Sequence, residues 1–115
     1  RLPPPARVVR ALLVGEDAGD ALVAAVQAAI ARVSPDVLAH RVGEILSVDV
    51  REVPAVPVLI LRAAGDRLVP ADALAVEGRA VTLAGPHLVL QANARGAAAE
   101  IASFLVTVGR ERAPA

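Results

Sequence analysis

The chain has 115 residues, of which 56% are hydrophobic and only one, Phe104, is aromatic, and its 12 basic and 12 acidic residues give a net charge of zero. This composition argues against disorder and predicts a core of Ala, Val, Leu and Ile. A basic stripe and base-stacking aromatics are missing, as is cysteine for disulfides or thiolate metal sites, so we expect no nucleic acid, metal or cofactor.

Two features bear on the surroundings and completeness of the chain. No run of about 20 apolar residues is present to span a membrane, and no signal peptide opens the chain, so we expect a cytoplasmic protein without membrane contact. The bias towards Ala, Arg, Val, Gly and Pro indicates a GC-rich coding sequence and hence a bacterial source. The chain begins at Arg1 and contains no Met, so we expect that an N-terminal part was removed or is not included.

The first half of the chain is predicted to be helical. After an extended entry over residues 1–5, a helix is predicted over 6–13, ended by Gly15, and a polar loop over 15–20 follows. A second helix is predicted over 20–33 with Asp20 as its N-cap, and a third from a Ser34 cap to about residue 48. The predicted buried stripes are Val8, Val9, Leu12 and Leu13, then Leu22, Val26, Ile30 and Val33, then Leu38, Val42, Ile45 and Leu46.

The second half changes to strand-like periodicity. The branched apolar run over 56–61 predicts a strand covered on both faces, as in a parallel sheet between helices. The remaining predicted elements are a loop over 63–67, a short helix over 71–76, a strand over 80–84, a turn over 85–87, a helix over 97–108 with Ile101, Phe104, Leu105 and Val108 on one face, and a polar tail over 110–115. Strand–helix–strand order predicts a parallel pair and therefore an α/β fold.

Two residues with chemical potential follow the two predicted strands. Asp66 lies in the loop after the first strand, and His87 lies in the turn after the second. Catalytic groups of open α/β sheets lie beyond the carboxyl ends of the strands, so we expect these side chains to meet at one edge. A carboxylate beside an imidazole is the orienting part of a catalytic triad, in which the acid fixes the tautomer of the histidine.

These segments resemble the α/β-hydrolase family of esterase-type serine hydrolases. PVLIL over 57–61 and GDRLVP over 65–70 resemble the strand and loop that carry the triad acid. VTLAGPHLVLQ over 81–91 resembles the strand and loop that carry the histidine, and the order of acid before histidine is that of the family. The resemblance implies a helical cap-like segment over 1–52, the C-terminal strand-helix-strand-helix of the hydrolase sheet over 53–109, and a tail over 110–115.

The resemblance further implies that Asp66 is the triad acid and His87 the general base and acid for a small-molecule ester-type substrate. The chain departs from the family pattern, however, because it has no G-x-S-x-G elbow, no oxyanion loop and only a short stretch over 70–81. Ser34 is better explained as a helix cap, and Ser47 and Ser103 fall within helices. We therefore expect the C-terminal fragment of a hydrolase, inactive alone, whose partner is a missing N-terminal half.

Two other functions stay open at this point. The first is a non-catalytic interaction module that forms homo-oligomers through the open edges of a small sheet. The second is an enzyme that uses an unrecognised serine such as Ser103. Taken singly, Asp66 and His87 are also ordinary turn or surface residues.

Three further residue patterns suggest no chemistry. His40 is expected to face solvent, and with His87 it gives too few ligands for a metal. Gly15 and Gly19 lack the Lys-Ser or Lys-Thr of a phosphate-binding loop. Arg67 is expected to be exposed.

Overall fold

The fold is mixed α/β, with helices and a two-stranded parallel sheet. The computed structural model describes residues 2–49, 55–70, 73 and 77–113. In chain order the elements are α1 (Ala6–Val9), which continues as π-helix over Arg10–Val14, then α2 (Asp20–Ala31), α3 (Pro35–Ser47), β1 (Leu59–Ala63), β2 (Arg79–Leu83), α4 (Val89–Ala92) and α5 (Ala94–Arg112). The predicted helix over 71–76 lies outside the described residues except for Ala73.

The sheet consists of β1 and β2, which pair in parallel from Leu59 opposite Arg79 to Ala63 opposite Leu83. This confirms the predicted parallel pair, although β1 begins three residues later than the apolar run. One face of the sheet packs against Val89 of α4 and Ala97 of α5 through Leu83, the last residue of β2. The predicted covering of β1 on both faces is found only in part, since Ile60 is buried and its other four residues are half-buried.

The first helix and α2 share a small core of Val9, Val14 and Val23. In a π-helix the hydrogen bonds join residues five apart, so Val9 and Val14 lie on one face. This widening corrects the predicted stripe, because Val8 and Leu12 are exposed. The helix ends as predicted at Gly15, whose φ of 91° favours glycine.

The start of α2 differs from the prediction. Gly19 occupies the N-cap position, and Asp20 is the first helical residue and makes no capping bond. Asp20 instead pairs with Arg10, whose guanidinium also donates to the carbonyl of Ala18. The buried residue of α2 is Val23 rather than a member of the predicted stripe, while Leu22, Val26 and Ile30 are half-buried and Val33 is exposed.

Helix α3 begins as predicted but does not pack as predicted. The Ser34 hydroxyl accepts a hydrogen bond from the Val37 amide at 3.3 Å, and Pro35 occupies the first helical position. No residue of α3 is buried, and the four residues of its predicted stripe are 46 to 83% exposed: Leu38, Val42, Ile45 and Leu46. The stripe prediction is wrong because none of the described elements packs extensively against α3.

The C-terminal helices depart from the prediction at both ends. Residues 89–92 form α4, which was not predicted, and α5 starts at Ala94 and continues into the predicted tail as far as Arg112. On the predicted face, Ile101 and Leu105 are exposed and Phe104 and Val108 are half-buried, whereas Ala97 is buried.

No helix in the described ranges is by itself long and apolar enough to cross a membrane. Helices α2 and α3 reach that length and composition only together, and they are bent by 98° at the break between them.

Candidate active site

The loops that follow the two strands lie side by side at one edge of the sheet. Because β1 and β2 are parallel, their carboxyl ends point in the same direction. Beyond the ladder, the Ala64 amide donates to the Leu83 carbonyl, and the Gly65 amide donates to the Gly85 carbonyl, both at 2.8 Å. These two bonds continue the pairing into the loops and bring the residues that follow them together.

Two glycines permit this close approach of the loops. A Cβ atom on Gly65 would lie 3.0 Å from the Gly85 carbonyl oxygen. Gly85 has a φ of 148°, and a Cβ atom there would lie 3.0 Å from a methyl group of Val89. A larger residue at position 65 would therefore push apart the loops that carry Asp66 and His87, and one at position 85 would crowd Val89 of α4 and strain the backbone.

Asp66 and His87 form a direct side-chain pair, as the sequence predicted for their positions. Nδ1 of His87 lies 2.9 Å from Oδ2 and 3.1 Å from Oδ1 of Asp66. Oδ1 also accepts hydrogen bonds from the backbone amides of Leu68 at 2.8 Å and Val69 at 3.0 Å. The Asp66 side chain is 16% exposed and the His87 side chain 30% exposed, so the histidine is the more accessible partner.

The environment of Asp66 favours the ionised form of its carboxyl group. Burial raises the pKa of Asp66, but hydrogen bonds from the Val69 and Leu68 amides and from His87 outweigh it, and the pKa lies below its ordinary value. An ionised carboxylate only accepts hydrogen bonds, so Nδ1 of His87 must be the donor. In the neutral imidazole Nε2 is then the unprotonated nitrogen, which is the arrangement of a general base.

His87 lies in the walls of two neighbouring cavities. The first, of about 260 Å³, is a cleft beside β1 that also contains Asp66; its other lining residues are Leu61, Arg62, Ala63, Val69, Pro70 and Val89. The second, of about 450 Å³, is an open groove between the His87 loop and the N-terminal helices; its other lining residues are Leu13, Leu22, Ala25, Val26, Ala29, Ile30, Leu88 and Gln91. The imidazole therefore faces space that a small molecule can enter.

The His87 loop is also tied to the helices on both sides. The Leu88 amide donates to the Leu13 carbonyl at 2.8 Å, which joins the loop to the N-terminal helices. The Asn93 side chain donates to the Ala84 carbonyl at 2.9 Å and accepts from the Gly96 amide at 3.1 Å, so it caps α5 and holds the other end of the loop. Asn93 was not singled out from the sequence, although an Asn before an Ala-rich run is a signal for a helix start.

None of the serines hydrogen-bonds to His87, and all three lie in the described part of the chain. Ser34 caps α3, and the Ser47 hydroxyl donates to the Gly43 carbonyl at 2.9 Å. Ser103 is exposed on α5. A nucleophile that acts with His87 is therefore not supplied by the described serines in this arrangement.

The other sequence candidates are not among the residues that line the two cavities. His40 is exposed on α3 and lies 3.5 Å from Glu44. Arg67 is exposed, with the Ala11 carbonyl 3.5 Å from its guanidinium. Gly15 and Gly19 belong to the loop before α2. Among the residues that the structure describes, no three His, Asp or Glu side chains converge as a metal site requires.

The chain was compared with family models, curated proteins and solved structures, and none of them matches it. The chemistry open to the site therefore follows from the Asp66–His87 pair and the two cavities beside it.

Proposed function

We propose that this chain supplies the acid and the histidine of a serine-hydrolase triad of the α/β-hydrolase type, acting on ester bonds, and that the nucleophile comes from outside it. The observation that carries the proposal is the distance of 2.9 Å between Oδ2 of Asp66 and Nδ1 of His87 at the carboxyl ends of a parallel strand pair. This pairing leaves Nε2 free to exchange protons beside two cavities.

In the proposed reaction His87 acts first as base and then as acid. Nε2 removes the proton of a serine hydroxyl as the oxygen attacks the ester carbonyl carbon, and the imidazolium is stabilised by Asp66. Nε2 then returns the proton to the departing alcohol oxygen as the ester C–O bond breaks. Water repeats the sequence on the acyl-serine, releasing the carboxylic acid and restoring the serine.

An external nucleophile is supported by the open sheet. In the part of the chain that the structure describes, the sheet consists of β1 and β2, and a sheet this small can be extended by a further strand. A further parallel strand beside β1 would end at the same edge as Ala63 and could deliver a serine close to His87. It could belong to another part of the same polypeptide or to a second chain.

A fluorophosphonate probe, which labels activated serines, tests the proposal. The chain alone should stay unlabelled, and the product of the complete gene should be labelled and hydrolyse esters. His87→Ala should abolish labelling, and Asp66→Asn should lower kcat by roughly 10⁴-fold, because the histidine loses its tautomer control. His40→Ala and Glu44→Gln remove the second His–carboxylate pair, on α3, and are matched controls that should leave the rate unchanged. Labelling of the chain alone at one serine, or equal rates in the Asp66 and Glu44 variants, would refute the proposal.

A second candidate function, a non-catalytic interaction module, is favoured by one observation. Helix α3 presents a row of exposed apolar side chains, including Ile45 at 71% and Leu46 at 83% exposure. In that function the Asp66–His87 pair would only join two loops. Retention of partner binding in Asp66→Asn and His87→Ala variants that lose only stability, without hydrolysis by the product of the complete gene, would favour the module over the enzyme.

A further inference from the structure

The open groove next to His87 has one long wall formed by a single face of α2. The residues of α2 that line it are spaced i, i+3, i+4, i+7 and i+8, so they lie in one row along the helix: Leu22, Ala25, Val26, Ala29 and Ile30. With a rise of 1.5 Å per residue, this row is roughly 12 Å long. The small side chains of the two alanines make the groove deeper at their positions than at the larger residues of the row.

The remaining walls of the groove connect this row to the candidate active site. Leu13 and Leu88 complete an aliphatic lining, and Leu88 is held to Leu13 by its backbone hydrogen bond. The polar side chains in the lining are His87 and Gln91, and no charged or aromatic side chain is among the lining residues. A ligand in this groove would therefore find an extended apolar surface with an imidazole in its wall.

We propose that this groove binds the unbranched hydrocarbon chain of the substrate while the ester group lies at His87. The inference rests on the proposed function, and it names the substrate class as esters with an aliphatic chain of roughly eight to ten carbons, the number that spans the row on α2. The apolar walls favour such a chain by removing it from water, at roughly a two- to fourfold gain in affinity for each methylene group. Charged or strongly polar chains would lose hydration in the groove without gaining hydrogen bonds.

Binding of intact esters to the 115-residue chain tests the groove without any nucleophile. Methyl alkanoates and alkyl acetates with chains of about four to twelve carbons are titrated, and the NMR signals of the His87 ring and of the leucine and valine methyl groups are followed. We expect affinity to rise with chain length up to about eight to ten carbons and then to level off. The series with the steeper dependence identifies whether the chain belongs to the acid or to the alcohol of the substrate.

Matched alanine variants on α2 locate the binding surface. Ala29→Phe fills the groove near the C-terminal end of the row on α2 and should shorten the preferred chain by several carbons, and Ala25→Phe, in the middle of the row, should weaken all long-chain ligands. Ala28→Phe places the same side chain on an exposed position that does not line the groove, and should leave the chain-length profile unchanged. Circular dichroism of all three variants verifies that the helices are retained.

The possible outcomes separate this inference from the proposed function. Affinity independent of chain length, equal effects of Ala28→Phe and Ala29→Phe, or ligand binding that leaves the His87 signals unmoved would each overturn the inference. Length-dependent binding at His87 that is sensitive to Ala29→Phe supports it. If that binding is found while the product of the complete gene hydrolyses no ester, the proposed catalysis fails and the groove stands as a binding site for aliphatic chains.

Discussion

The carboxylate of Asp66 receives three hydrogen bonds, from the Leu68 and Val69 amides and from the ring of His87. All three favour the ionised form, so Asp66 stabilises the fold as long as it carries its charge. The same carboxylate thus orders its own loop and orients the imidazole.

This arrangement predicts an acid-sensitive contribution to stability. Because the folded-state pKa of Asp66 lies below its unfolded value, the unfolded state binds more protons in the acidic range, and stability falls as pH is lowered towards the folded pKa. The contribution is complete above the unfolded pKa. Urea unfolding of the native chain and of Asp66→Asn at a series of pH values from neutral to acidic should show the larger loss in the native chain. Parallel pH profiles for the two would contradict this.

At the residue scale, the sequence contained enough to predict that Asp66 and His87 meet, because each follows a strand and parallel strands end together. The tautomer of His87 could not be predicted, since it depends on which nitrogen faces the carboxylate. Asn93 was missed because half of its role, the bond to the Ala84 carbonyl, joins residues from different elements.

At the scale of elements, the Asn93 side chain links the end of β2 to the start of α5 through two hydrogen bonds, and the contributions of these two bonds to stability can be measured separately. Asn93→Ala removes both the cap of α5 and the bond to the Ala84 carbonyl, and should lower the free energy of unfolding by about 1–2 kcal/mol. Asn93→Asp keeps a capping oxygen for Gly96 but loses the donor to Ala84, so it should cost less. Denaturant unfolding measures the loss of stability in both variants. Ser34→Ala removes the cap of the exposed α3 and is the control, since it should leave the NMR signals of the His87 ring unchanged. A larger loss in the aspartate variant would show that the cap is not the main contribution.

The helices also show that the hydrophobic periodicity of a sequence does not by itself predict which face of a helix is buried. The cap and first turn of α3 were predicted correctly because they depend only on neighbouring residues, Ser34 and Pro35. Its buried face was predicted wrongly because periodicity gives the apolar side of a helix and not what covers it. In the first helix Val9 is buried as predicted, but the π-helical turn buries Val14 and leaves Val8 and Leu12 exposed, a change that no 3.6-residue pattern anticipates.

The whole molecule is more extended than a self-sufficient domain. Its radius of gyration is 16.8 Å and its extents are 58 × 32 × 23 Å, whereas a compact chain of this length has a radius of about 13 Å. Its accessible surface of 8553 Å² also exceeds the roughly 5,900 Å² typical of a folded monomer of this mass. The excess is larger than one side of a standard protein interface, about 800 Å².

We therefore expect the isolated chain to be marginally stable and to self-associate through α3. Leu46→Lys should lower the apparent mass in sedimentation velocity and raise solubility, because it interrupts the exposed apolar row. It should change the free energy of unfolding by less than about 0.5 kcal/mol, since Leu46 makes few contacts to lose. His40→Lys adds the same charge on the opposite side of α3 and is the control. A stable monomer with a cooperative melt at about 45–65 °C would contradict the expectation.

The Leu88 amide donates a hydrogen bond to the Leu13 carbonyl and so joins the His87 loop to the N-terminal helices. The amide hydrogen of Leu88 therefore reports whether these helices are packed against the loop. Only a proline at position 88 would remove the donor of this bond. In the native chain we expect the amide to meet water when the first helices separate from the His87 loop. The rate at which this hydrogen exchanges with deuterium therefore measures how often the N-terminal helices separate from the His87 loop. Faster exchange at Leu88 than at the strand amides would mean that the N-terminal helices move away from the His87 loop while the sheet stays folded. Access of a ligand to His87 would then depend on this local opening and not on the dimensions of the groove in the closed structure.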